Sequence, residues 1–412
     1  MEGRVVITGM GTVNSIGLSV EESWQNLLNG VSGIGPISLF DASNMVVRYA
    51  GEVKGFHPEE YMDFKDVRRR DRFEQFATAA AKEAIRQSGL DPNRIDLSRV
   101  GVVISSAIGG IGTIEDGIHL LRNQGARKIS PFSIPMLMSN GAAGLVSIDH
   151  GFRGPSFSVG SACASGNDAL GLGWMMLRNG VIDVAVAGAS EASITEISFV
   201  TLDRMGAMSS RGDDYSMTPQ PFDANRDGLV MGEGAAVLLL ETEQHARKRG
   251  ANILGELAGY AATADAFHIT APAEAGKGAA QAMRLALESA RISFEKVDYI
   301  NAHGTATPLN DVAETMAIKS IFNGKAYQVP VSSTKSMTGH AMGATGALET
   351  IFCIQSIQEE IIPPTIHYQT PDPLCDLDYV PNQAREHKVK VAMNNAFGFG
   401  GHNAVLVLKA YS

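Results

Sequence analysis

Three stretches of the sequence, VGVVISS (100–106), DVAVAGAS (183–190) and AAVLLLE (235–241), are apolar almost without interruption. A strand with one wet face alternates apolar and polar residues, because successive side chains point to opposite faces. Unbroken runs suit strands covered on both faces instead, which is the arrangement of a layered α/β protein.

The rest of the chain supplies the covering helices. VVITG (5–9) reads as a strand, followed by a helix in SVEESWQNLLNG (19–30) with a Ser19/Glu22 capping box and Gly30 as its stop. An alanine-rich helix covers 73–89. After the charged helix end EQHARKRG (243–250) the same rhythm returns: strand 253–261, helix 276–290, strand 297–304, helix 311–322, strand 329–333, helix 346–358 and strands 390–397 and 403–409. At 412 residues the chain exceeds one simple core. Two halves, 1–250 and 251–412, are therefore expected, implying a structural duplication, although no convincing residue-level repeat is found. The segment 204–234, rich in Gly, Asp, Ser and Pro, reads as loops over the sheet.

Composition excludes several functions. A net charge of −10 argues against nucleic acid as a partner. Three cysteines, Cys163, Cys353 and Cys375, form no close pair and no zinc spacing, which fits reduced cytoplasmic thiols and no metal. No apolar run approaches the ~20 residues that span a bilayer, and MEGRVVITGMG at the N-terminus has no leader pattern. The segment KDVRRRDR (65–72) is locally basic: a solvated helix edge, or a docking patch for an acidic partner.

Four segments carry candidate chemistry. In VGSACASG (159–166), Cys163 falls at the turn from a buried strand end into the helix 167–180. A helix N-terminus favours thiolate and should lower the thiol pKa, and small neighbours leave room for a carbonyl beside backbone amides that can form an oxyanion hole. A small buried core cysteine is the alternative. NAHGTATPLND (301–311) places His303 beyond a strand end, with Thr305 and Thr307 suited to hold an amide-bearing ligand arm. VSSTKSMTGHAMGATGALE (331–349) holds Lys335 and His340. NNAFGFGGHN (394–403) sets Phe397 and Phe399 among glycines, as a core pair or a gate. GMGTVNSIG follows a strand yet lacks the lysine or acidic partner of a phosphate cradle.

Taken together, SACASG, NAHGTATPLND, STKSMTGHAMGATGALE and NAFGFGGHN resemble the beta-ketoacyl-acyl-carrier-protein synthases, most of all the synthase II type. PFDANRDGLVMGEGAA (221–236) and IIPPTIHYQTPDP (361–373) match too, so the likeness runs the length of the chain. The resemblance implies a thiolase fold, two similar halves in a five-layered αβαβα sandwich, as a homodimer. It implies that Cys163 accepts an acyl chain from acyl carrier protein, and that a malonyl group on the same carrier then loses CO2 and attacks the thioester. His303 and His340 would stabilise the enolate, Lys335 would supply positive charge, Phe399 would gate access, and Thr305 and Thr307 would hold phosphopantetheine. No cofactor is implied beyond that substrate arm. Ile108 would sit at the acyl pocket, and Lys65, Arg68, Arg69, Arg127, Lys128 and Arg204 would dock the acidic carrier. Ser161, Ser165 and His402 stand where threonine is frequent in the family. A thiolase would carry a second catalytic cysteine where this chain has His340, and a non-catalytic chain-length subunit would lack Cys163. A polyketide ketosynthase is the nearer rival; a chain without flanking acyltransferase or carrier segments favours fatty-acid elongation.

Overall fold

A computed structural model describes residues 3–212 and 214–412. Its main sheet takes five strands from each half of the chain. The first half runs β1 (Val5–Asn14), α1 (Arg72–Ser88), β2 (Val100–Ser105), α2 (Gly141–His150), β3 (Ser156–Phe157), α3 (Ser165–Arg178), β4 (Val184–Glu191) and β5 (Gly234–Thr242). The second repeats the sequence of elements: β6 (Gly255–Ala264), α4 (Lys277–Ala290), β7 (Tyr299–Asn301), α5 (Pro308–Phe322), β8 (Val331–Ser332), α6 (Thr345–Glu359), β9 (Val391–Gly398) and β10 (His402–Lys409).

Strand order is β8-β7-β9-β10-β6-β1-β5-β4-β2-β3, so the two halves are mirror-ordered about the β6–β1 join. That join is slight, an antiparallel pairing of Val6 with Glu256 and Ile7 with Gly255. Within each half the strands flanking the site are parallel: β2 with β3 and β4, and β7 with β8 and β9.

The apolar runs follow from this layering. β2 and β4 are buried along their whole length. On one face of the sheet's first half, Val100, Val102 and Ile104 pack against Phe76, Ala80 and Ala84 of α1 and Val146 of α2. From the other face, Val103, Ala185 and Ala187 meet Leu170 and Trp174 of α3. Helix α6 lies beside α3 and presents Leu348 and Ile351 to the same cluster, which Leu257, Leu406 and Leu408 close from the sheet's second half. Helices α4 and α5 cover the outer face of that half with Met283, Ala286, Ile318 and Phe322. The layers are thus α, β, α, β, α. Each large apolar side chain buried here contributes roughly 1.5–3 kcal/mol.

The middle layer is tightest where α3 and α6 begin. A Cβ on Gly166 would lie 2.6 Å from the Ala347 nitrogen, and one on Gly346 would lie 2.6 Å from Asn167 Oδ1. The turns into these helices are equivalent: Ala-Cys-Ala-Ser-Gly (162–166) matches Met-Gly-Ala-Thr-Gly (342–346). Ala162 and Met342 both adopt left-handed backbone, with φ of 50° and 41°. The sequence repeat is therefore present but short, with the nucleophile candidate opposite a glycine. One expectation changes: 157–160 is not a buried strand end, because β3 is two residues long, sits at the sheet edge and leaves Ser156 exposed.

Candidate active site

The ends of β3, β7, β8 and β9 converge on a cavity of about 330 Å³ whose lining includes Cys163, His303, His340, Thr305, Thr307 and Phe399. Cys163 occupies the short turn Ala162–Ala164 before α3 and is 7% exposed. His340 Nε2 lies 3.1 Å from its sulfur, and His340 Nδ1 lies 3.0 Å from Thr345 Oγ1. The main chain of His340 is fixed on both sides: its N–H donates to the Val230 carbonyl and its carbonyl accepts from Gly232. Segment 204–234 therefore does more than cover the sheet; it sets the histidine.

His303 is held from its backbone. Glu314 on α5 accepts from the His303 N–H at 2.9 Å and from the Gly304 N–H at 2.8 Å, while Asn395 donates to the same carboxylate. The two imidazoles meet edge to face, centroids 5.4 Å apart, and the His303 ring lies 5.7 Å from that of Phe397. Behind them, Lys335 Nζ donates to Glu349 Oε1 at 2.6 Å, each side chain 1% exposed.

Burial governs the proton chemistry. It pushes the Cys163 thiol up to about 11, although the Lys335 charge and the backbone N–H of Phe399 and of Cys163 itself pull it down. The helix-start argument, which expects a lowered pKa, is thus outweighed by desolvation. Burial, reinforced by the Lys335 charge, also holds His303 and His340 well below the usual histidine range, so both rings are neutral. Glu349 is raised to about 7 by burial, with Lys335 opposing. The resting pair is a thiol beside a neutral imidazole within hydrogen-bond reach, with two N–H groups aimed at the sulfur's surroundings. Such an arrangement can supply a nucleophile, its base and an oxyanion hole.

Two family models together match most of the chain. Residues 2–246 match "Beta-ketoacyl synthase, N-terminal domain" and residues 254–369 match "Beta-ketoacyl synthase, C-terminal domain". The chain belongs to the beta-ketoacyl synthase family. It is therefore an acyltransferase of the condensing type with the thiolase fold. It is similar to 3-oxoacyl-[acyl-carrier-protein] synthase 2 of Synechocystis sp., 46% identical over 99% of this chain and 98% of the relative. The Staphylococcus aureus (strain COL) protein of that name is 47% identical with the same coverage. Among solved structures, a type II polyketide ketosynthase in complex with its acyl-carrier protein superposes at a TM-score of 0.92 with 36% identity over 100% of both chains. A beta-ketoacyl synthase from Burkholderia phymatum STM815 gives 0.92 and 34%, again over both whole chains.

Sequence-expected residues fall into three groups. Cys163, His303, His340, Thr305, Thr307 and Phe399 share the cavity, and Lys335 lies just outside it. The Thr305 and Thr307 hydroxyls are 2.9 Å apart. Ile108 is the departure: its side chain is 41% exposed and does not line this cavity within the single chain. It is carried outward by a turn wound around a buried carboxylate. Lys65, Arg68, Arg69, Arg127, Lys128 and Arg204 are all exposed. Arg69 stacks over Phe132 at 4.5 Å, which brings the basic run beside the turn bearing Arg127 and Lys128. Arg204 immediately precedes Met205, a cavity residue. Arg70 and Arg72, from the same basic run, turn inward to Asp149 and Glu233 and serve the fold. Sequence reasoning missed Glu314 and Thr345. Glu314 had a signal: it stands three residues after Asp311 on one helix face, two carboxylates aimed at a core.

Proposed function

We propose that this chain elongates acyl groups held on acyl carrier protein by decarboxylative condensation with malonyl carrier protein. The observation that carries this is the approach of His340 Nε2 to Cys163 Sγ at 3.1 Å, with His303 alongside in the same cavity. In the first half-reaction the Cys163 proton passes to His340 Nε2 and the sulfur attacks the acyl thioester carbonyl. The oxyanion that forms accepts from the Cys163 and Phe399 N–H groups. As it collapses, the carrier's pantetheine thiolate leaves and takes the proton from His340. The Thr345 hydroxyl both donates and accepts, so it serves either neutral tautomer of His340.

In the second half-reaction malonyl carrier protein enters, its pantetheine arm held by the Thr305 and Thr307 hydroxyls. The carbon–carboxylate bond breaks, CO2 leaves, and the electron pair becomes an enolate. Nε2–H groups of His303 and His340 donate to the enolate oxygen, which neutral rings are able to do without prior deprotonation. The enolate carbon attacks the Cys163 thioester, and the cysteine sulfur leaves as thiolate and is reprotonated by a proton taken up from water. Lys335 lies too deep to touch substrate; its charge biases the thiol and the rings. Phe399 gates the passage between the two steps.

The curated relatives at 46% and 47% identity favour fatty-acid elongation over the polyketide role of a structural neighbour at 36%. Lys65, Arg68, Arg69, Arg127, Lys128 and Arg204 form the carrier-docking surface. We also divide the chain at residue 250, between the helix ending at Lys248 and β6. The working state is a homodimer formed at β3. That strand ends the sheet, and α2 beside it leaves Ile148 76% exposed, as Ile134 is nearby in sequence at 63%. We further propose that the enzyme is cytoplasmic and needs no cofactor: its three buried cysteines are unpaired, as a reducing compartment leaves them, and, as a separate fact, among the described residues no helix is long and apolar enough to cross a membrane. Incubation with acyl and malonyl carrier proteins should release CO2 and give one 3-oxoacyl product two carbons longer. Repeated condensation without intervening reduction would favour the polyketide reading, and no condensation product would overturn both.

A further inference from the structure

Glu191 ends β4 deep in the protein, 0% exposed, and neither the histidines nor Lys335 touch it. Its Oε2 accepts from the Ala107 N–H at 2.8 Å and from the Gly343 N–H at 3.1 Å. Its Oε1 accepts from the Ser106 hydroxyl at 2.8 Å, and Ser106 Oγ in turn accepts from the Gly109 N–H at 2.7 Å. One oxygen thus joins two segments far apart in the chain. The first is the turn 106–109, which carries Ile108. The second is the turn 342–344, whose Met342 lines the cavity and packs in one cluster with Cys163 and Ala107. The segments touch directly: a Cβ on Gly343 would lie 2.6 Å from the Ala107 nitrogen and 2.9 Å from Glu191 Oε2. Met342 itself is held in left-handed backbone, a conformation that needs support from its surroundings.

We propose that Glu191 is a positioning residue that, by tying the turn 342–344 to the turn 106–109, fixes Met342 in the wall of the cavity around Cys163 and so limits the chain length that Cys163 accepts. This rests on the condensing-enzyme reading. Displacing Met342 to admit a longer chain requires the Gly343 N–H to leave Glu191 Oε2. In a site sealed from water that bond has no replacement. Long chains therefore meet a resistance that short chains do not, and the carboxylate is its source. A glutamine at 191 keeps a carbonyl oxygen for Ala107 and Gly343 and turns its amide toward the Ser106 oxygen, so the tie survives.

The test is the rate of Cys163 acylation from carrier proteins bearing short and long acyl chains, read by intact-protein mass. In Glu191→Ala the long-to-short ratio rises several-fold over wild type, and in Glu191→Gln it returns close to the wild-type value. A ratio that stays flat or falls in Glu191→Ala overturns the proposal, because a merely structural role lowers all lengths together. Should Glu191→Ala fail to fold, Ser106→Ala takes its place, with a smaller rise expected and a flat ratio again decisive. Acylation of Cys163 by any chain tests the condensing reading itself; only the ratio tests the tie.

Discussion

Replacing Lys335 by methionine tests how the buried charge pair serves the site. Lys335 and Glu349 are 2.6 Å apart and each 1% exposed, so the variant leaves a carboxylate with neither water nor a cation. Breaking a buried pair from one side costs about 3–5 kcal/mol. The loss depends on pH, with a definite sign. Burial already raises Glu349 to about 7, against about 4.3 in an unfolded chain. A folded carboxyl with a raised pKa binds its proton more tightly than the unfolded one, so stability falls as pH rises through that window. Without Lys335 the folded pKa climbs further and the fall continues where wild type has levelled off. The deficit of Lys335→Met should therefore be small near about pH 6 and grow to about 2–3 kcal/mol near about pH 9, because one proton changes stability by at most ~1.4 kcal/mol per pH unit beyond the wild-type value. Urea denaturation at the two pH values measures it. A deficit equal at both, or under about 1 kcal/mol throughout, would refute the reasoning. The double variant Lys335→Met, Glu349→Leu removes the bare charge and should recover most of the stability with a flat pH dependence. It should not recover activity, since the charge that draws the Cys163 thiol down is still missing.

Further outcomes follow from the same geometry. His303→Ala should still acylate Cys163 but decarboxylate malonyl carrier protein roughly 100- to 1,000-fold more slowly; CO2 release at the wild-type rate would remove His303 from its role. His340→Ala should be slow in both half-reactions, because that ring alone reaches the sulfur. Reversing Lys65 and Arg68 to glutamate should leave the melting temperature nearly unchanged, raise the KM for acyl carrier protein several-fold, and spare a short pantetheine thioester; equal loss with both substrates would point to a damaged site. Added salt should weaken the wild-type carrier interaction as well, since exposed charges are screened beyond ~8 Å at physiological ionic strength. Ile148→Asp, beside the open edge of β3, should yield monomers by sedimentation, and an unchanged oligomer would place the interface elsewhere.

Much of this was readable from residues alone, for physical reasons. Unbroken apolar runs announce strands buried on both faces, and β2, β4 and β5 are such strands. Cys163, His303 and His340 stand at strand ends, where α/β proteins gather chemistry, and the topology brings them into one cavity. Three features were not legible. The duplication is written in only five residues at the starts of α3 and α6, where backbone conformation repeats more faithfully than side chains. The Cys163 pKa was misjudged because a helix start is a local signal, whereas desolvation depends on packing from both halves. Glu191 acts through backbone N–H groups distant in sequence, and such an acceptor leaves no spacing pattern. Ile108 shows the same limit, since its direction is set by a carboxylate 83 residues further along.

The central claim is that Cys163 carries the acyl chain with His340 as its base. Intact-protein mass spectrometry after incubation with acyl carrier protein tests it most directly. Wild type should gain one acyl mass that maps to the peptide holding Cys163, and Cys163→Ala should gain none while keeping its fold. Acyl mass on Cys353 or Cys375, or an undiminished gain in Cys163→Ala, would contradict the account.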